Sequence, residues 1–397
     1  MKHRAWLLVS MLLAVAVQGC SGSVTVEGGG GNGGAESATG GSGGVTTSGS
    51  SGAPTSVSGG GGAPTSASSS SGGDPCEACT SPMLCCAGSC ISSVDDPNNC
   101  GACGHHCQGA ACVDSMCGVI TIASGLAKPQ KIAVDATNVY WVSNQAGEIM
   151  KAPIAGGTPT EVAGGQVGPQ GIAVSAGHVY WTTSVEAAVM KAPIAGGTLV
   201  ELFGTPGAFG IAVDATSVYW THVSLDTIMK VPVGGGPAVE IAPGQQLPSG
   251  IAVDASHVYW TDQWANTVVK VPLGGGPPTE IASADNPGNI VVDATNAYWA
   301  DRGSGSIMKA PIVVGAATEL APAFVPIGIA VDATHVYWTD FTDVVSKVPI
   351  TGGTPIAIAS GQASPHGIAV DNASVYWANN GTDANDYEDG EVMKVAK

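Results

Sequence analysis

Ile251-Ala252-Val253-Asp254-Ala255-Ser256-His257-Val258-Tyr259-Trp260-Thr261-Asp262 opens one copy of a pattern that recurs from residue 119 to the end of the 397-residue chain. Each copy continues with a Met-Lys-x-Pro-like segment and a Glu-Ile-Ala-like segment, here Val269-Lys270-Val271-Pro272 and Glu280-Ile281-Ala282, and Gly-Gly pairs mark the turns. Short runs of β-branched and aromatic residues between Gly and Pro read as strands, and no helical period competes with them. The tryptophans Trp141, Trp181, Trp220, Trp260, Trp299, Trp338 and Trp377 set the register, at spacings of 40, 39, 40, 39, 39 and 39. Four strands per period of about 40 residues means propeller blades. The fold class is therefore all-β, a seven-bladed β-propeller.

The seventh copy stops after Val392-Met393-Lys394-Val395 and lacks a fourth strand. Val119-Ile120-Thr121-Ile122-Ala123-Ser124-Gly125 is a strand with no blade before it, similar to Glu280-Ile281-Ala282-Ser283. The N-terminal strand is expected to complete the last blade and close the ring. Adjacent strand residues point to opposite sheet faces, so each Tyr-Trp pair sends one ring toward the preceding blade and one toward the next. Fourteen rings then fill the seams between blades, where aromatic burial contributes most.

Tyr259-Trp260-Thr261-Asp262, Tyr337-Trp338-Thr339-Asp340 and Tyr298-Trp299-Ala300-Asp301 resemble the YWTD propellers of the lipoprotein-receptor class B type, and more loosely the NHL propellers. That resemblance covers about 280 residues. It implies an extracellular protein-binding platform beside Cys-rich modules, although the receptor family has six blades and this chain has seven copies.

Upstream, Lys2 and Arg4 precede an apolar run from Ala5 to Val17, too short to span a bilayer and the length of a signal-peptide core. Val17-Gln18-Gly19-Cys20 resembles the lipobox of bacterial lipoprotein precursors, with Gln18 departing from the usual small residue. It implies a signal peptide over 1–19, acylation of Cys20, and, with Ser21, lipid anchoring in the outer membrane of a bacterial envelope. Residues 21–73 contain 39 Gly, Ser or Thr in 53 positions and no aromatic, so 20–73 reads as a disordered tether. Its r.m.s. reach is about 40 Å.

Cys76, Cys79, Cys85, Cys86, Cys90, Cys100, Cys103, Cys107, Cys112 and Cys117 crowd into residues 74–118. An even count in an exported segment too small to bury a core reads as a disulfide-rich module, with the pairing open. The spacing of Cys76/Cys79 and Cys100/Cys103, beside His105 and His106, also suits zinc, but six further cysteines and an oxidising compartment favour disulfides. The run from Asn99 to Cys107 resembles short Cys-rich modules on exported lipoproteins of some Gram-negative soil bacteria, which implies a stalk. The propeller takes up residues 119–397.

The formal charge is −18 with only 13 Lys and Arg, which excludes a nucleic-acid partner. Asp135, Asp214, Asp254, Asp293, Asp332 and Asp371 recur at the end of the first strand, with Ser175 in the second copy, and read as turn acceptors. The lysines recurring at Lys151, Lys191, Lys230, Lys270, Lys309, Lys347 and Lys394 are expected to stay solvated. His178, His257 and His335 occupy a turn position.

Function on a repeated scaffold lives where the repeat varies, in the loops after each Tyr-Trp strand and the connections into each first strand. Ligand-binding candidates there are His222, Asp226, Asp262, Trp264, Arg302, Asp340, Phe341, Asp343 and His366. The acidic loop from Asp383 to Glu391 could hold Ca2+ through its carboxylates, although it lacks the EF-hand pattern; no other cofactor is expected. No metalloprotease or P-loop motif is present. The expectation is a binding platform for a protein or glycan, touching the membrane through its lipid anchor only. The alternative is a propeller enzyme, a lyase or hydrolase resembling the streptogramin-lyase group, with an axial acid-base site. An enzyme requires a strongly perturbed titratable group at the channel mouth, whereas binding requires an exposed patch around Trp264 and Phe341.

Overall fold

The computed structural model describes residues 79–397 except Gly88, residues 186–188 and Val314. The signal peptide, Cys20, the tether and Cys76 lie outside the described residues.

Seven four-stranded antiparallel sheets form the propeller. Blade 1 comprises Pro129–Val134, Asn138–Ser143, Glu148–Pro153 and Thr160–Ala163, with Ile132 opposite Trp141 and Tyr140 opposite Lys151. Blade 7 comprises Pro365–Val370, Ser374–Asn379 and Gly390–Ala396, and its fourth strand is Ile120–Leu126, one residue further on than the sequence pattern suggested. Thr121 pairs with Met393 and Ile120 with Lys394, so the ring closes as expected. Each first strand packs against the first strands of both flanking blades, blade 7 against blade 1 included, and these seven strands therefore line the axis.

Every seam holds one tyrosine and the tryptophan of the next blade. Tyr140 lies with Trp181, Tyr259 with Trp299, and across the closure Tyr376 with Trp141. All seven tryptophans and their tyrosines are buried. The tyrosine hydroxyls reach the recurring aspartates: Asp254 Oδ2 accepts from Tyr259 at 2.7 Å while Oδ1 accepts from the backbone N–H groups of Ser256 and His257. The same strap recurs at Asp135, Asp214, Asp293, Asp332 and Asp371. Blade 2 has Ser175 there and burial alone raises its Tyr180.

The recurring lysines correct an expectation. Instead of standing in solvent, six of them donate to a backbone carbonyl of the next blade, at 2.5–2.9 Å: Lys151 to Ile194, Lys191 to Val233, Lys230 to Leu273, Lys270 to Ile312, Lys309 to Ile350 and Lys394 to Ile154. The carbonyl belongs to a turn some 42 residues ahead, so each ammonium group ties two blades and the last one ties blade 7 to blade 1.

The Cys-rich module carries Cys79–Cys90, Cys86–Cys103, Cys100–Cys112 and Cys107–Cys117 bridges. Cys79, Cys100 and Cys103 are thereby removed from any zinc set. Gln108 of the module bonds Ala373 and Ser374 in the turn between the first two strands of blade 7. The module thus sits on the turn side, opposite the loops that follow the Tyr-Trp strands.

Two outcomes follow from these contacts. Trp299→Ala should lower the unfolding free energy by about 3 to 5 kcal/mol, and Lys309→Met, which strips the Ile350 carbonyl of its charged donor, by about 1.5 to 3 kcal/mol, both read from urea midpoints. In Asp254, burial pushes the carboxyl pKa up, but the Tyr259 hydroxyl and the turn N–H groups outweigh it and the net shift is downward. A folded pKa below the unfolded value of about 3.9 means stabilisation that is complete above that pH and lost as pH falls through the folded value. The urea midpoint of Asp254→Asn should therefore fall less steeply with acidification than that of the unaltered chain.

Candidate functional site

Each first strand enters the channel from the loop side through three positions, usually Pro, a variable residue and Gly, as in Pro248-Ser249-Gly250. The pairing register slips at this point in every blade. Glycine is required by close approach: a Cβ on Gly250 would lie 2.6 Å from the Gly288 carbonyl of the next blade. Thr261 Oγ1 bridges the same gap, accepting from the Gly250 N–H and donating to that carbonyl at 2.6 Å. Thr182, Thr221 and Thr339 do likewise.

Blades 1 and 5 break this rule, with Lys131 and Asn289 at the glycine position and Val142 and Ala300 in place of the threonine. Their side chains meet. Lys131 Nζ donates to Asn289 Oδ1 at 2.8 Å, and the Asn289 amide donates to the Ile327 carbonyl. Blades 1 and 5 are not neighbours, so this bond crosses the axis as a bar. Gly288 leaves space beside it, and Arg302, from the loop after the second strand of blade 5, fills that space: its Nε lies 3.0 Å from where a Gly288 Cβ would be. His366 of blade 7 completes the group, with Nδ1 buried and without a hydrogen-bond partner.

Lys131 faces the channel yet is surrounded by protein, and burial, assisted by the charge of Arg302, lowers its pKa to about 7. Burial drops His366 to about 3, and the charges of Lys131, Arg302 and Lys128 push the same way. Arg302 is itself lowered by burial. Lys128 stands with its Nζ 4.6 Å above the ring of Tyr387. None of these cations pairs with a carboxylate among the described residues, where the one ion pair, Lys397 with Asp332, is on the turn side. Below the bar, Ile-Ala-Val triplets such as Ile251–Val253 and Ile329–Val331 line an apolar cavity of about 360 Å3.

Among the candidates from the sequence, Arg302 and His366 are brought together. His222 is fully buried, edge-on to Phe203, with both ring nitrogens unpartnered, and burial lowers its pKa. Asp262 is buried and accepts the Gln246 N–H at 2.8 Å; burial raises its pKa against that bond. Asp340 is buried and holds Thr342. Asp226 and Asp343 are exposed, Asp343 accepting the Ser364 N–H at 3.3 Å. Trp264 and Phe341 stand 60% and 41% exposed, and Phe324, which the sequence reading passed over, is 63% exposed and next to Phe341, whose N–H bonds the Phe324 carbonyl. In the acidic loop, Asp389 is taken by Thr382 and Asn385, which hold its carboxyl down at about 2. Among the described residues no three carboxylates of that loop come within ligating reach of one another.

Lys131 and Asn289 were missed by sequence reasoning. The available signal was their departure from a glycine kept in the other five copies.

The architecture defines a closed seven-bladed propeller with a polar, cationic mouth on its loop side. The chain is similar in fold to virginiamycin B lyase from Staphylococcus aureus, at 16% identity and a TM-score of 0.60 over 70% of this chain and 98% of that one. A streptogramin B lyase structure gives 15% identity and 0.59, over 70% of this chain and 97% of that one. A nidogen/laminin complex gives 21% identity over 54% of this chain and 90% of that one, with a TM-score of 0.47. No family model and no curated protein matches the sequence.

The mouth has a measurable consequence. Because the folded pKa of Lys131 lies below the unfolded value of about 10.4, the unfolded chain binds more protons between the two, and stability rises with pH across that window. Urea midpoints between pH 7 and 10 should climb more steeply for the unaltered protein than for Lys131→Met.

Proposed function

We propose that the chain is a cell-envelope propeller, lipid-anchored through Cys20 in a bacterial outer membrane, that binds a protein or glycan partner through its loop face. The observation that carries this reading is the exposed aromatic arc on that face: Trp264 from blade 4, Phe324 at the approach to blade 6, and Phe341 from blade 6. Large rings held in solvent on blades 4 and 6, while fourteen others are sealed into seams, mark a contact surface. The docking of the module on the turn side supports it, since the described part of the module does not cover the loop side.

One observation favours a second reading, a propeller lyase or hydrolase working at the axis. An amine with a pKa of about 7 at a channel mouth is suited to general-base work at neutral pH. The fold likeness to virginiamycin B lyase agrees with this reading in architecture alone.

The test is binding of the protein to an array of envelope glycans and to solubilised envelope proteins, beside a Trp264→Ala/Phe324→Ala/Phe341→Ala variant. Since these rings are exposed, the variant should keep its urea midpoint while losing about tenfold or more in affinity. Equal retention of every bound species by both proteins would remove the loop face from the proposal.

A further inference from the structure

We infer that the axial mouth is a binding site for an oxyanion group, a carboxylate, sulfate or phosphate, carried by the ligand that lies across the loop face. The inference rests on that face being the contact side, and adds what its centre recognises.

The first argument is where the cations go. Of the 13 Lys and Arg in the chain, Lys2 and Arg4 precede the described residues. Six lysines tie blades together through backbone carbonyls. Lys347 and Lys397 stand near Asp332 on the turn side. The three that remain, Lys128, Lys131 and Arg302, all act on His366 at the loop-side mouth, and Arg302 acts on Lys131 as well. In a chain of net charge −18, these three cations without a blade-tying task are gathered at one place, and none of them forms an ion pair among the described residues. Half-burying cations side by side without an ion-pair partner is costly, and a bound anion offsets that cost.

The second argument is geometric. Arg302 offers a planar fork of donors suited to two oxygens of one carboxylate, sulfate or phosphate, and among the described residues no acceptor occupies its guanidinium. Lys131 is held in place by Asn289, which is itself fixed on Ile327. Three departures from the repeat cooperate here: Gly288 makes room for Arg302, and Lys131 and Asn289 replace glycine. Below the bar the wall is Ile, Ala and Val, so the charged head stops at the mouth and the body of the ligand stays above it. Arg302 and His366 face Lys131, and burial, with the cations beside it, holds His366 at about 3 and so neutral from pH 6 to 9. An anion seated there favours the ammonium form of Lys131, so binding takes up a proton above neutrality and weakens as pH rises from 7 to 9.

The experiment is calorimetric titration of the protein with glucuronate, sulfate and phosphate, each separately, with glucose as the uncharged comparison, at low ionic strength. Saturable binding of at least one anion is expected, with no signal from glucose. Affinity should be higher at pH 6.5 than at pH 9, and at pH 8 the heat should depend on the ionisation enthalpy of the buffer in the sense of proton uptake. Arg302→Gln and Lys131→Met should each weaken it about tenfold or more. Which anion binds best identifies whether the head is a carboxylate, a sulfate or a phosphate. Silence from all three anions into the tens of millimolar, or binding that persists unchanged in both variants, would overturn the site. Buffer-independent heat in the unaltered protein would overturn it without reference to any variant. The Trp264→Ala/Phe324→Ala/Phe341→Ala protein should retain anion binding, so failure of the aromatic face and failure of the axial site give different results.

Discussion

A propeller blade is amphipathic on neither side: both faces of its sheet are apolar, and each is covered by a neighbouring blade or left bare. Closure of the ring is therefore the constraint that everything else depends on. Six seams can form from the repeats in order, but the seventh, with Tyr376 against Trp141, needs blade 7 to be complete. Ile120–Leu126 completes it by pairing with Gly390–Ala396, and so the two ends of the propeller domain hold one sheet together. Ile122 and Ala123 of that strand are buried in the same seam cluster as Trp141 and Tyr376. Losing the strand would expose the aromatic packing of a whole seam as well as one edge of a sheet.

The second layer of blade-to-blade attachment comes from polar groups used economically. The 31 Asp and Glu outnumber the 13 Lys and Arg, yet none of the recurring lysines forms an ion pair among the described residues. The lysines bond carbonyls, and the aspartates are spent on turns and tyrosine hydroxyls. A charged donor on a neutral carbonyl needs no second ion to be buried, so it avoids much of the desolvation cost of an internal ion pair. Threonines such as Thr261 add a third kind of tie nearer the axis, between adjacent first strands.

The repeat, the blade number, the closing strand and the tyrosine-tryptophan seams could all be read from the sequence because each follows from a local period. The partners of the lysines could not, since the receiving carbonyl lies about 42 residues ahead and backbone carbonyls carry no sequence label. The loop candidates were readable as a face but not as a site. His222 and Asp262 occupy variable positions yet turn inward, because each is the last residue of its strand and follows the alternation of that strand. Lys131 and Asn289 are 158 residues apart and become neighbours only through the ring. What the sequence did contain was the break in the glycine pattern, visible on comparing the seven copies at that one position rather than along each loop.

The same break bears on why the mouth is built as it is. If the inner strands served closure alone, the glycine and threonine arrangement of blades 2, 3, 4 and 6 would satisfy blades 1 and 5 as well. The chain instead places a lysine where burial holds its pKa near 7 and an arginine against a backbone that lacks a side chain. Neither cation ties one blade to the next, and together they repel. Such an arrangement lowers stability without improving closure, and stability sacrificed at a concave, solvent-reaching point of a repeated scaffold is characteristic of a site. Both functional readings meet at this point: an amine whose pKa burial lowers to about 7, beside a guanidinium, can hold an anionic head when protonated and can take a proton from another group of a ligand when neutral. The aromatic arc lies on the same face and offers contact area to the body of a ligand, while the mouth offers charge to one group of it. On the proposed reading, recognition divided in this way accounts for unpaired positive charge gathered at the axis while exposed aromatic rings stand on the surrounding loops.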